Sequence, residues 1–116
     1  MADSEKPTAE RRRATRFSIR APAIFVWADA QGKQNQGGGF TRDVAINSAF
    51  VWCHMLCPPE QTKISVEVLL PKLAADAEPI RFYGEGTVTR VDVTPAGRGF
   101  AVICNEDSAL WFSKPV

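Results

Sequence analysis

Residues 17–27 read Phe-Ser-Ile-Arg-Ala-Pro-Ala-Ile-Phe-Val-Trp, and every odd position in this stretch is apolar. Ser18, Arg20 and Pro22 alternate with the apolar residues. A period of two residues is typical of a strand that buries one face. Because Pro22 has no amide donor, we expect it at a sheet edge or at a bulge, where a sheet bends. The stretch therefore predicts a long first strand in a curved sheet or barrel.

Five further stretches carry strand signals and are separated by turn residues. They are Phe40–Ile46, Ala49–Met55, Lys63–Leu70, Ile80–Val93 and Gly99–Cys104. Residues 29–39, which are rich in glycine, are predicted to form a flexible hairpin connection. Six short strands with mostly hairpin-length loops favour an all-β fold, an antiparallel barrel, because closure removes exposed sheet edges. Glu106–Phe112 is expected to form a short C-terminal helix or a tail.

The length and composition predict one domain. The chain has 116 residues, of which 45% are hydrophobic and 23% are charged, as in an ordinary globular core. Residues 1–9 are predicted to be a disordered tail, 10–104 the barrel with its N-terminal arm, and 105–116 the C-terminal tail or helix. Trp27 and Trp52 are expected in the core, and Trp111 is the tryptophan most free to meet a partner.

Charge is distributed unevenly along the chain, although the net charge is only +1. Residues 1–20 hold six basic side chains and three acidic ones, which gives +3, and the remaining residues carry −2. This split predicts a local arm that binds a small anion. It argues against a nucleic acid polymer as the partner, because such a binder needs a broad basic face.

Several classes of function are not expected. The N-terminus lacks a secretory signal, and no apolar run approaches the roughly 18 to 20 residues that span a bilayer, so we expect a cytoplasmic protein without membrane insertion. Cys53 and His54 would point to opposite faces of a strand, which argues against a metal site. With His54 as the only histidine and no nucleophile-elbow pattern, we expect neither catalysis nor a cofactor.

Four segments of the chain resemble the PilZ domain family, in the same order, from about residue 10 to residue 104. These segments are Glu10–Phe17, Thr41–Val51, Gly86–Val91 and Gly99–Val102. The family is a six-stranded antiparallel barrel that binds the bacterial second messenger cyclic di-GMP through an R-x-x-x-R motif and a D/N-x-S-x-x-G motif. The resemblance implies the same fold and the same ligand here.

The two motifs assign candidate ligand contacts. Arg12 and Arg16 match the first motif and Asp43 opens the second, while Ala45 stands where the family has serine and Ser48 where it has glycine. Guanidinium groups bind phosphate, read guanine O6 and N7, or stack on a purine. Asp43 would accept hydrogen bonds from guanine N1 and N2. The implied ligand-binding residues are Arg11, Arg12, Arg16, Arg42, Asp43, Ala45 and Ser48.

The resemblance implies a non-catalytic receptor that transmits the second-messenger state to an unidentified downstream protein. The departures at Ala45 and Ser48 leave a second interpretation open, a protein-interaction adaptor of the same fold that does not bind the nucleotide. A third interpretation, a binder of single-stranded nucleic acid with tryptophan stacking platforms, also remains open.

Overall fold

The computed structural model describes residues 15–70, 76 and 80–103, together with the backbone of residues 111–115. All the regular elements in these residues are β-strands. They are β1 (Pro22–Ala28), β2 (Gln34–Ala45), β3 (Ser48–Cys53), β4 (Lys63–Leu70), β5 (Ile80–Thr94), β6 (Gly97–Ile103) and β7 (Trp111–Pro115). No helix in the described residues has the length and apolar character needed to cross a bilayer.

Six of the strands close into an antiparallel barrel. β1 pairs with β2, β2 with β3, β3 with β6, β6 with β5, β5 with β4, and β4 returns to β1. The predicted six-stranded closed barrel is therefore confirmed. β7 is a seventh strand outside this ring, and it pairs with the first five residues of β5. It uses the same edge of β5 as β6 does, because β4 occupies the other edge.

Alternate side chains fill the interior of the barrel. Phe25, Val66 and Phe100 are fully buried, and Phe25 packs edge-to-face on Phe100 with ring centroids 4.9 Å apart. Burying a side chain of this kind contributes about 1.5 to 3 kcal/mol. Ala21, Ala23, Phe25 and Trp27 point inward, as the odd-position pattern predicted.

The first strand is shorter than predicted. β1 begins at Pro22, which is thus the first residue of a strand. Before it, Phe17 makes only an isolated bridge to Val44 and is 56% exposed. Apolar and polar side chains do alternate along residues 17–21. These residues nevertheless do not pair with β4, because the β1–β4 ladder begins at Ala23.

The predicted hairpin connection between the first two strands is present, but it is shorter than residues 29–39. The turn takes up only Asp29–Lys33, where the Asp29 carboxylate accepts hydrogen bonds from the amides of Gln31 and Lys33. Gly37, Gly38 and Gly39 are part of β2 and pair with β1. A Cβ at Gly39 would lie 1.8 Å from the carbonyl oxygen of Trp52, so glycine here serves close backbone approach.

The prediction of a C-terminal helix is also wrong for the residues that the structure describes. Trp111 and Phe112, its predicted last residues, begin β7 instead. Aromatic residues favour strands, and the first half of β5 offers an edge whose amides and carbonyls need partners. The rest of the predicted helix lies outside the described residues, as does Cys104. The ends of β3, β5 and β6 differ from the predictions by no more than two residues, and β4 matches its prediction at both ends.

β4 pairs with β5 only as far as Thr87. Beyond that point, the same edge of β5 is covered by residues 60–62 of the loop that precedes β4. The Gln61 amide donates to the Val88 carbonyl over 2.7 Å, and the Val88 amide donates to the Thr62 carbonyl over 2.9 Å. A Glu60 carboxylate oxygen then accepts from the Val91 amide at 3.1 Å. Main-chain groups that β4 no longer reaches are thus hydrogen-bonded to this loop.

Gly39→Ala is expected to lower the free energy of unfolding by about 2 to 3 kcal/mol, because the added methyl overpacks the β2–β3 contact. Gly38→Ala is the matched control, since its Cβ would lie 3.6 Å from the nearest atom, an ordinary contact. The control is expected to change stability by about 0.5 kcal/mol or less. Urea unfolding followed by tryptophan fluorescence measures both variants, and equal effects would contradict the close approach.

Candidate functional site

The residues before β1 form an arm that lies along β2. The Phe17 amide donates to the Val44 carbonyl over 2.8 Å, and the Val44 amide donates back to the Phe17 carbonyl over 2.9 Å. Nearer β1, the Thr41 amide donates to the Ala21 carbonyl over 2.9 Å. These bonds place the exposed Arg16 one residue from the bridge, close to the end of β2.

The buried side chain of Thr41 on β2 holds the arm by hydrogen bonds. Its side chain is 1% exposed, and its hydroxyl accepts a hydrogen bond from the Ala21 amide at 2.9 Å. The same hydroxyl donates to the Ile19 carbonyl. One buried hydroxyl therefore satisfies a donor and an acceptor of the arm where the β1–β2 ladder has ended.

A β-bulge in β2 brings two charged residues to the outer face of the barrel. Thr41 lies opposite Val51 and Asp43 lies opposite Phe50, so Arg42 is the extra residue. Arg42 Nε and Asp43 Oδ2 are 2.7 Å apart, and the Arg42 guanidinium carbon lies 4.0 Å from the centroid of the Phe50 ring. In a regular strand these neighbours would point to opposite faces.

Phe50 is the centre of this outer surface. Its ring makes an edge-to-face contact with Trp52, with centroids 4.9 Å apart, and the Arg90 guanidinium carbon lies 5.6 Å from its centroid. Arg90 is also paired with Asp92 at 3.0 Å. Gly99 leaves room for the rings, because a Cβ there would lie 2.5 Å from Phe50. Phe50 is consequently 2% exposed although it faces outward.

The surface continues toward the other end of β3. Phe40 lies opposite Trp52 in the β2–β3 ladder, and the Arg20 guanidinium carbon is 4.5 Å from the Phe40 centroid. The exposed His54 ring lies 5.2 Å from the same centroid. We call this surface the arginine–aromatic face. It consists of Arg20, Phe40, Arg42, Asp43, Phe50, Trp52, Arg90 and Asp92.

Charge on the arginine–aromatic face is positive but locally compensated. Its three arginines face two aspartates, and Arg16 on the arm adds another positive charge. The arrangement offers planar cations over aromatic rings, which suits anionic and planar groups.

The predicted site residues are brought together only in part. Arg42 and Asp43 are in contact, and the arm carries Arg16 to the same end of β2. Ala45 is 3% exposed and lies opposite the half-buried Ser48 where β2 meets β3. Arg11 and Arg12 lie outside the described residues. The ligand role of every one of these residues stays a prediction.

Sequence reasoning missed the other half of the surface. Trp52 shares the face of Phe50, as predicted, but it is half-buried on the outside and is not a core residue. Val51 and not Phe50 points into the barrel. Both faces of β3 are apolar, so its own alternation does not distinguish them. The signal that distinguishes them is Gly99 on β6, opposite Trp52, which leaves space for large rings.

The structure describes no three His, Cys, Asp or Glu side chains, in residues 15–70, 76 and 80–103, that gather closely enough to hold a metal ion. Comparisons with protein families, with curated proteins and with solved structures found no match for the chain. The chemistry of the site therefore follows from its own side chains.

Thr41→Val is expected to lower the free energy of unfolding by about 1 to 3 kcal/mol, because it leaves the buried Ala21 amide without an acceptor. Hydrogen exchange at Ala21 should become faster in the same variant. Thr41→Ser keeps the hydroxyl and is the control, with near-normal protection of this amide. Protection of Ala21 that survives in Thr41→Val would show that the hydroxyl does not hold the arm.

Proposed function

We propose that the chain is a non-catalytic receptor for cyclic di-GMP, with a PilZ-type barrel as its scaffold. The observation that carries the proposal is the backbone bridge between Phe17 and Val44, which brings the arm with Arg16 to the end of β2 that carries the Arg42–Asp43 pair. The closed antiparallel barrel is the architecture that the resemblance implies. Arg11 and Arg12, which precede Arg16 on the arm, complete the proposed clamp.

The side chains of this site match the chemical groups of a cyclic dinucleotide. Guanidinium groups bind phosphate by paired, charge-assisted hydrogen bonds and also pair with guanine O6 and N7. A carboxylate such as that of Asp43 accepts hydrogen bonds from guanine N1 and N2. Two phosphates and two guanines therefore need several arginines and an acid within a short distance. In this proposal Arg42 and Asp43 of the β2 bulge and Arg16, Arg12 and Arg11 of the arm fill these roles.

The Arg42–Asp43 ion pair must open if Asp43 is to bind guanine. The two side chains are 41% and 18% exposed. A pair with this access to water is worth about 1 kcal/mol or less. Hydrogen bonds to charged groups contribute about 1.5 to 3 kcal/mol each, so a nucleotide that donates two of them to Asp43 outweighs the lost pair. Arg42 is then released to contact phosphate.

Signalling in this proposal occurs through the arm. Ligand that contacts both the arm and β2 favours the docked arm over other arrangements, by the difference in its affinity for them. A downstream protein that recognises the docked arm or the neighbouring surface would read this change. The proposed location is the cytoplasm, where the nucleotide acts.

An adaptor that does not bind the nucleotide is the second candidate. Ala45 lacks a hydroxyl, its side chain is buried, and the half-buried Trp52 offers aromatic surface to a protein partner. Restoring the motif with Ala45→Ser and Ser48→Gly separates the two candidates. An adaptor derived from a receptor would gain nucleotide binding in this double variant.

Isothermal titration with cyclic di-GMP tests the receptor proposal directly. Arg16→Ala is expected to weaken binding about 10- to 150-fold, the equivalent of one charge-assisted hydrogen bond of about 1.5 to 3 kcal/mol. Arg81→Ala is the matched control, because Arg81 lies on β5 at the Glu67 side, 42% exposed and 3.9 Å from that carboxylate.

The control variant is expected to bind like the unmodified chain. Absence of heat with the unmodified chain at high micromolar nucleotide would reject the receptor and favour the adaptor. Equal losses in Arg16→Ala and Arg81→Ala would indicate nonspecific attraction to positive charge. Steeply salt-dependent binding of oligonucleotides that survives Asp43→Ala would favour a binder of single-stranded nucleic acid.

A further inference from the structure

One end of the arginine–aromatic face carries basic side chains that no acid neutralises. Arg20 and His54 both lie against the Phe40 ring, with the guanidinium carbon 4.5 Å and the imidazole centroid 5.2 Å from the ring centroid. Both side chains are exposed. In the part of the chain that the structure describes, no carboxylate forms an ion pair with either of them. This end therefore offers hydrogen-bond donors and positive charge to an anionic group from outside.

A gap between side chains adjoins the two basic residues. Gly38 shares the outer side of β2 with Phe40, because alternate residues of a strand face the same way. Its partner on β1 is Ile24, which is 48% exposed, and on the other side the His54 amide donates to the Gly38 carbonyl over 2.9 Å. A Cβ at Gly38 would have only the Ala23 carbonyl oxygen near it, at 3.6 Å. The outer face thus has room for a side chain at this point.

The stacked guanidinium of Arg20 is oriented to bind a carboxylate. A guanidinium that lies over a ring keeps the N–H donors on its edge free, and two of them match the two oxygens of a carboxylate. The rings beneath are half-buried, and Phe40 lies directly opposite Trp52 in the β2–β3 ladder. An inorganic anion would leave these rings in contact with water. A ligand that also carries an apolar group would cover them and gain free energy from the buried area.

From this arrangement we infer that the surface around Arg20, Gly38, Phe40 and His54 binds an extended peptide segment of a partner protein. The segment carries an acidic side chain and a bulky apolar side chain two residues apart. Alternate side chains of an extended chain lie on one side, about 7 Å apart, and Gly38 and Phe40 have the same spacing on β2. An acid held by Arg20 above Phe40 therefore places the apolar side chain in the gap at Gly38. That the partner is the downstream protein rests on the proposed receptor function, whereas the surface itself does not.

Two other occupants match this surface less well. Attraction to an anionic bilayer takes clusters of about four to eight basic residues, whereas two basic side chains lie against the Phe40 ring. Cyclic di-GMP would bring guanine N1 and N2 donors, which a carboxylate such as that of Asp43 accepts. At this end the two basic side chains are themselves donors, so they match the acceptor oxygens of an acidic peptide.

An NMR titration of the isotope-labelled full chain tests the inference. The probe is the peptide acetyl-Ser-Glu-Ser-Leu-Ser-amide, added without nucleotide. The backbone amide signals of Gly38 and His54 are expected to shift with a dissociation constant of about 0.1 to 1 mM. Two control peptides are expected to bind at least about tenfold more weakly. Acetyl-Ser-Gln-Ser-Leu-Ser-amide lacks the charge, and acetyl-Ser-Glu-Leu-Ser-Ser-amide places the two side chains on opposite sides of the extended chain.

Two variants of the chain test the two halves of the surface separately. Arg20→Gln removes the charge, and Gly38→Val fills the gap; each is expected to weaken binding of the probe at least about tenfold. Arg81→Gln, on the far side of the barrel, is the matched control and should bind the probe like the unmodified chain. Urea unfolding of Gly38→Val checks that the variant is folded, and Arg20→Gln changes only an exposed side chain.

Several outcomes would overturn the inference. They are unchanged Gly38 and His54 amide signals at several millimolar probe, equal binding of either control peptide, and equal binding of inorganic phosphate. Displacement of the probe by cyclic di-GMP would assign the surface to the nucleotide instead. Because the titration contains no nucleotide, a failed cyclic di-GMP titration leaves a positive peptide result intact, and a failed peptide titration leaves the receptor proposal intact.

Discussion

The pairing of β4 with both β1 and β5 is the contact on which the rest of this structure depends. It joins strands that are distant in sequence and turns a sheet into a ring. Closure buries Val66 and the other inward side chains, so this core does not depend on the side chains of the outer face. Charged and aromatic residues can therefore accumulate outside without loss of the core.

The arginine–aromatic face is stabilised by many weak contacts. A cation over an aromatic ring contributes about 0.5 to 1 kcal/mol at an exposed site, and an exposed ion pair contributes about as much. Arg42 makes one contact of each kind, with Phe50 and with Asp43. A surface of this type keeps its side chains ordered, yet each contact is weak enough for a ligand or a partner protein to replace.

The sequence predicted those parts of the fold in which local pattern and tertiary environment agree. β4 has polar residues on one face and Val66 and its neighbours on the other, so its ends were predictable. The prediction of a loop through Gly37–Gly39 was wrong because glycine is a turn residue in isolation, whereas here Phe25 leaves no room for a Cβ at Gly37 and Trp52 leaves none at Gly39. The bulge at Arg42 has no local signature, and it alone places Arg42 and Asp43 on one face. The family resemblance assigned Arg16 and Asp43 to one site, and the bridge between Phe17 and Val44 joins the arm to β2 at the residues next to them in sequence.

The loop that covers the edge of β5 beyond β4 limits how copies of the molecule can pair with one another. Exposed main-chain donors and acceptors along a strand invite pairing with another chain, which is a common first step in aggregation. Here Gln61 and Thr62 occupy that edge at Val88, and a negatively charged Glu60 side chain takes the amide of Val91. An approaching strand would have to displace three hydrogen bonds and bury a carboxylate. The connection that leads into β4 thus protects this edge of β5 from pairing with another chain.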